Sequence, residues 1–139
     1  MPLDERDPVF VVAAVVLRDE TGRVLVVRKR GTRRYMLPGG KIEPGETPAE
    51  TAVRELHEEV GAVLDVSRLV SLGEWTAPAA NEPDHLVHGY IFEHPWVAGL
   101  SPRAEIDDMV WLRLDEMVER DDLAPLLVTR VLPQLKPPP

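Results

Sequence analysis

The sequence predicts one domain that mixes helices with strands, an α+β or α/β fold whose sheet is not purely parallel. Three observations predict it. Residues 47–61 carry the start signal, the apolar period and the stop signal of a single amphipathic helix. Two valine-rich runs, 9–18 and 23–30, flank the turn Asp19-Glu20-Thr21-Gly22 and read as an antiparallel hairpin. At 139 residues the chain is long enough to bury a core and of ordinary size for one domain, taken here as 1–139.

Residues 1–8 read as a flexible lead-in, and 136–139, KPPP, as a flexible or extended end. Residues 9–18 make the first strand, apolar enough to be buried on both faces. Residues 23–30 make the second. RKRGTRR at 28–34 is a basic cluster running straight into a glycine turn. It is either a solvated loop or a phosphate contact, with Arg33 and Arg34 the candidates. Gly39 and Gly40 let the backbone approach a metal or phosphate, and Gly40 and Lys41 are candidate substrate-binding residues. A nucleotide-binding P-loop at Gly40-Lys41 is excluded, because Tyr35 and Ile42 stand where glycine and Ser/Thr are needed.

Thr47-Pro48-Ala49-Glu50 is a capping box with proline in the first turn, and Gly61 is placed to end the helix in a left-handed conformation. Ala49, Ala52, Val53, Leu56 and Val60 form the core-facing stripe. A further strand is expected within 64–75, a polar loop over 76–84, and a strand over 85–96 with Leu86, His88, Tyr90 and Phe92 on one face. Residues 98–103 read as a loop, 109–114 as a short strand, and 123–135 as a second amphipathic helix. Asp84, His85 and His88 lack a closed ligand set for zinc. Trp75 reads as core or rim packing, with stacking on a base the sharper alternative.

Glu55, Glu58 and Glu59 share the arc beside the apolar stripe, at spacings i, i+3 and i+4. Like charges so placed cost a few tenths of a kcal/mol per pair on a wet helix (~0.2–0.5). A hard cation turns that repulsion into binding, and Mg²⁺ takes oxygen ligands from one or two carboxylates plus substrate phosphate. The plain alternative is a solvated acidic face.

Gly40, five residues, Glu46, seven residues, then Arg54-Glu55-Leu56-His57-Glu58-Glu59-Val60-Gly61-Ala62 resembles the Nudix box. Every fixed position is filled; only the last, normally a bulkier aliphatic, is Ala62. The resemblance implies a mixed sheet sandwiched between helices, an α/β/α sandwich. It implies hydrolysis of a pyrophosphate bond in a nucleoside diphosphate linked to another group. It implies that Glu55, Glu58 and Glu59 hold Mg²⁺, with Mn²⁺ a possible substitute, and that the Gly39 carbonyl is a further metal ligand. Glu46 and Arg54 support these groups from behind. The family places its proton acceptor variably; Glu55 and the later Glu105, in the acidic stretch AEIDD, are the candidates here.

Composition narrows the partners. A net charge of −8 argues against non-specific nucleic-acid binding. The absence of cysteine removes disulfides and thiolate chemistry. It also argues against the isopentenyl diphosphate isomerases, which share the Nudix fold but use a catalytic cysteine. No apolar run is long enough to span a bilayer, and the N-terminus lacks a signal-peptide pattern. The expectation is a cytoplasmic enzyme, monomer or homodimer, acting on a small nucleotide such as an (oxidised) nucleoside triphosphate. Dinucleoside polyphosphates and nucleotide sugars are alternatives, and so is a nucleotide-sensing Nudix module without activity.

Overall fold

The computed structural model describes residues 8–136. The flexible ends expected at 1–8 and 136–139 therefore lie almost wholly outside the described residues. Of them Pro8 is held, its carbonyl accepting from Leu86 N at 2.8 Å.

The described residues hold six strands: β1 (Val9–Leu17), β2 (Val24–Lys29), β3 (Gly39–Lys41), β4 (Val70–Pro78), β5 (Leu86–His94) and β6 (Ile106–Leu112). Two α-helices accompany them, α1 (Pro48–Val60) and α2 (Leu114–Glu119). Four strands form one sheet in the order β3-β1-β5-β4, and β2 pairs with β6. β1 runs parallel to β5, and every other pairing is antiparallel, so the sheet is mixed.

Period-2 alternation builds the layers. Ala13, Val15 and Leu17 of β1, with Leu25 and Val27 of β2, bury against Ala52, Leu56 and Val60 of α1. Ala14 and Val16, with Val24 and Val26, bury on the other side against Met117, Leu127 and Val131. Strands thus form a middle layer with helices on both faces, the α/β/α sandwich. Burial on both faces holds for the second half of β1; Val9 and Val11 are exposed.

The hairpin reading of β1 and β2 is wrong. The turn exists, organised by the Asp19 carboxylate accepting from the N–H groups of Thr21 and Arg23. Yet the two strands do not form a ladder with each other; their backbones are joined by a single Arg18–Val24 bridge next to the turn. β1 pairs with β5 along one edge and with β3 at Val12–Ala14 on the other, while β2 pairs with β6.

Three smaller expectations also change. The strand near 109–114 starts earlier, at Ile106, and Leu114 already belongs to α2, a helix the sequence reading missed. β4 continues to Pro78, which shortens the polar loop behind it. The helix expected over 123–135 is shorter and irregular. Leu123 bridges to Tyr35, and the following turn is π-wound over Leu127–Val131 and 3-10 over Leu132–Gln134. Pro133 has no N–H for an α-type bond, so the winding changes around it.

Candidate active site

Helix α1 forms as its local sequence dictates. Thr47 Oγ1 accepts from Glu50 N at 3.1 Å, and Glu50 Oε1 accepts from Thr47 N at 2.8 Å. Gly61 caps the other end at φ 73°, its N–H bonded to His57 O. This sets the rotation of the helix and hence the place of its three glutamates. Glu59 faces inward and is 7% exposed. The Glu55 side chain is 15% exposed and that of Glu58 53%.

Strand β3 lies against this arc. Gly39 N donates to Glu59 Oε1 at 2.9 Å. A strand residue turns its N–H and C=O to the same side, so the Gly39 carbonyl also faces α1. A Cβ on Gly40 would overlap the Glu55 carboxylate, and one on Gly39 would overlap the backbone of Ala13 and Ala14. The glycine pair therefore lets β3 fit between β1 and the two inner carboxylates.

Burial pushes the Glu59 carboxyl up to about 7, opposed by the Gly39 N–H and reinforced by the charges of Glu55 and Glu105. Burial also raises Glu55, against the pull of Arg54. Arg54 ties the cluster together. Its Nε and Nη2 donate to the two Glu46 carboxylate oxygens at 2.7 and 2.9 Å, and Nη2 also donates to Lys41 O at 3.1 Å. Its Nη1 lies 3.4 Å from both Glu55 and Glu58. The bidentate bond from Arg54 holds Glu46 down at about 2. Thr51 Oγ1 adds a bond to Glu46 at 2.8 Å.

Glu55, Glu58, Glu59 and the Gly39 carbonyl supply oxygen donors only, as a hard divalent cation requires. Two of the acids are hard to ionise where they stand, and a cation would relieve that. The residues present thus fit the expected metal. Their carboxylates point to separate partners, Glu58 to Arg54 and Glu59 to Gly39. Among the described residues no three His, Asp or Glu side chains form a ready-made metal cluster.

A cleft opens beside β3. It is lined by Val12, Ala14, Val87, Ile91 and Leu127 and also by Lys29, Gly39, Gly40, Lys41 and Asn81. Lys41 Nζ sits over the Phe10 ring at 4.4 Å. The other basic candidates point elsewhere. Arg33 Nη2 lies 3.5 Å from Asp121 Oδ1, and Arg34 Nη1 donates to Leu123 O at 3.0 Å. Glu105 is exposed, on the loop that binds the C-terminal end of α1 through Arg103 N to Glu59 O at 2.8 Å. The sequence reading missed Lys29, although alternation along β2 places it two residues past Val27 in the row facing α1.

The remaining sequence candidates have local partners. His88 bonds Thr76 and Glu74, and His85 stacks on Phe10. Trp75 packs against the core with Arg130 over its ring. No helix of the described residues is long and apolar enough to cross a membrane.

The family description "NUDIX domain" matches residues 8–132. A MutT-like protein of Streptomyces ambofaciens is 30% identical over 125 residues, 89% of this chain and 75% of its own. A putative 8-oxo-dGTP diphosphatase of Bacillus subtilis is 34% identical over 79 residues, 57% of this chain and 52% of its own. The chain spans about half the length, or less, of four of the curated relatives it matches. Among solved structures, the MutT protein of Methanosarcina mazei superposes with a TM-score of 0.72 at 23% identity, covering 86% of this chain and 88% of that one.

Proposed function

The chain belongs to the Nudix family, and from that premise we propose that it hydrolyses a pyrophosphate bond in a nucleoside diphosphate linked to another group. The substrate in this reading is a small nucleotide, such as a nucleoside triphosphate with a normal or oxidised base. The 139 residues act as one domain, in the cytoplasm, as a monomer or homodimer, and not on nucleic acid. One observation carries the proposal. The Gly39 N–H grips Glu59 while Gly40 leaves room for Glu55, so the carboxylate arc lies against the same glycine pair that lines an apolar cleft. An apolar lining suits a nucleobase, and the arc is where its phosphates would lie. The named function of the Bacillus relative supports the nucleotide class.

Glu55, Glu58, Glu59 and the Gly39 carbonyl would hold the metal. A bound Mg²⁺, or Mn²⁺ in its place, would supply neutralisation of the phosphate oxygens and a more acidic water. The chain's own residues do the rest. The apolar cleft excludes water from one side of the substrate, and Lys41 offers a positive charge at its mouth. Glu46 and Arg54 keep Glu55 and Glu58 in place. Glu55, half-buried beside Gly40, takes the proton as the water oxygen bonds to phosphorus. The P–O bridge then breaks, and its electron pair leaves with the departing phosphate. Glu105 is the alternative acceptor. The pH–rate profile decides between them, since Glu55→Gln but not Glu105→Gln should abolish its acidic limb.

A hydrolysis screen tests the reading: nucleoside triphosphates, dinucleoside polyphosphates, nucleotide sugars and a 5′-triphosphate RNA, with Mg²⁺ and after chelation. Release of phosphate or pyrophosphate from a small nucleotide, lost on chelation, is expected, with ¹⁸O from water in a phosphorus-containing product. Binding of nucleotide without turnover across the panel would identify a sensing module instead.

A further inference from the structure

We infer that Asn81 is a positioning residue for the substrate's nucleobase: by gripping the backbone of Arg34 it fixes the β4–β5 loop and so sets the width of the cleft. The inference rests on the nucleotide reading of the cleft and adds to it a residue outside the carboxylate arc. Two segments distant in sequence help to line the cleft. One is residues 79–82, the loop after β4; the other includes Ala124, Leu126 and Leu127, after α2. Both are tied to one short stretch, residues 34–36. Tyr35 N donates to Asp122 O at 2.7 Å, and Ala124 N donates to Tyr35 O at 2.8 Å. Arg34 Nη1 donates to Leu123 O at 3.0 Å. The loop is tied through Asn81, whose Oδ1 accepts from Arg34 N at 3.0 Å.

The stretch 34–36 is itself fixed. Met36 exchanges both backbone bonds with Val27, at 2.9 and 2.8 Å. The Tyr35 hydroxyl bonds the Asp108 carboxylate, and Arg28 and Arg120 each place a guanidinium 5.1 Å from its ring centroid. Backbone bonds within the loop close it on itself: Ala79 N donates to His85 O at 2.9 Å, and His85 N to Glu82 O at 3.3 Å. These give the loop a shape but no place relative to residues 34–36. The Asn81 side chain supplies that place, across 47 positions of sequence.

Asn81 is half-buried and lines the cleft, so direct contact between its amide and a base is the competing role. The two roles differ in what an aspartate can replace. A carboxylate accepts an N–H as an amide oxygen does, but it donates nothing. A leucine of similar size does neither and leaves the Arg34 N–H without its partner.

The test compares Asn81→Leu, Asn81→Ala and Asn81→Asp with wild type. Affinities for the four nucleoside 5′-monophosphates and for inorganic pyrophosphate are measured by calorimetry with Mg²⁺. The readout is the ratio of nucleotide to pyrophosphate affinity, which cancels the charge that the aspartate substitution adds. A hydrogen bond of this kind is worth about two- to tenfold. Asn81→Leu and Asn81→Ala should lower the ratio by about that factor for the monophosphate that wild type binds best, while Asn81→Asp stays close to wild type. On a hydrolysed substrate, KM should rise by the same factor in the first two variants with kcat unchanged. An unchanged ratio in Asn81→Leu and Asn81→Ala overturns the inference. So does an equal loss in Asn81→Asp, which would make the amide itself the base contact, and so does failure of wild type to bind any monophosphate. The expected ratios without hydrolysis of any compound in the panel would support the positioning role and refute the hydrolase reading alone.

Discussion

Glu59 is the residue whose surroundings depart furthest from those of an ordinary surface carboxylate. Its pKa is lifted from 4.5 to about 7. An acid that holds its proton more tightly in the folded state makes stability fall as pH rises between those two values. The loss is complete above pH 7. Glu59→Gln keeps an acceptor for Gly39 N and carries no charge. Without divalent ions it should therefore be more stable than wild type at pH 8, by on the order of 3 kcal/mol and with a higher melting temperature, and near wild type at pH 4. Equal melting temperatures at pH 8 would show that Glu59 is not strained by burial.

Glu58 is the contrasting case on the same helix. It is exposed and pairs with Arg54, so Glu58→Gln should leave the metal-free melt unchanged or slightly raised. Turnover should fall steeply, because an oxygen ligand is lost where the phosphate charge develops. Glu50→Gln keeps the bond to Thr47 N and should stay within a few-fold of wild-type turnover. Near-normal turnover of Glu58→Gln at saturating Mg²⁺ would refute this face as the metal site.

At the scale of the element, α1 is held by its ends and by one ion pair. Gly61 is left-handed, and a Cβ there would also displace the Arg103 guanidinium. Gly61→Ala should cost about 1–2 kcal/mol, and Thr47→Ala about 1 kcal/mol, both read as a lower urea midpoint at constant slope. The Glu46–Arg54 pair gives the helix its acid limit. A carboxyl held down at about 2 stabilises the fold above its ordinary 4.5, and that contribution disappears as pH falls toward 2. Glu46→Gln should therefore be less stable than wild type at pH 6, with the gap closing toward pH 2. A gap that persists at pH 2 would assign the loss to packing rather than charge.

At the scale of the whole molecule, β1 and β2 serve two apolar layers at once. Neither layer can open without exposing strands that the other also covers. Leu56→Ala beneath α1 and Met117→Ala on the opposite side should each cost about 2–5 kcal/mol. Each should still unfold in one step, with circular dichroism and the fluorescence of Trp75 and Trp111 coinciding. Separate transitions for the two probes would mean that the layers are independent.

The sequence alone determined what depends on neighbours a few residues apart. Thr47, Glu50 and Gly61 define α1 because capping bonds span three or four positions. The apolar stripe and the acidic arc follow from 3.6 residues per turn. The Nudix spacing follows from the same stretch, since that part of the site is one helix and the turn before it. Valine-rich runs around a turn likewise identified β1 and β2 as strands, and alternation identified β5. Tertiary structure decided which edges pair and which side chains meet. β1 and β2 carry hairpin signals, yet the partners that claim β1 are β3 and, from far along the chain, β5. Glu58 and Glu59 share one arc on the helical wheel, and only the approach of β3 buries one and leaves the other wet. Arg33 and Arg34 lie closer to the glycine turn in sequence than Lys29 does, but they bond to the 121–123 segment while Lys29 lines the cleft. In each case a contact between distant segments chose among options that local geometry leaves equal in energy.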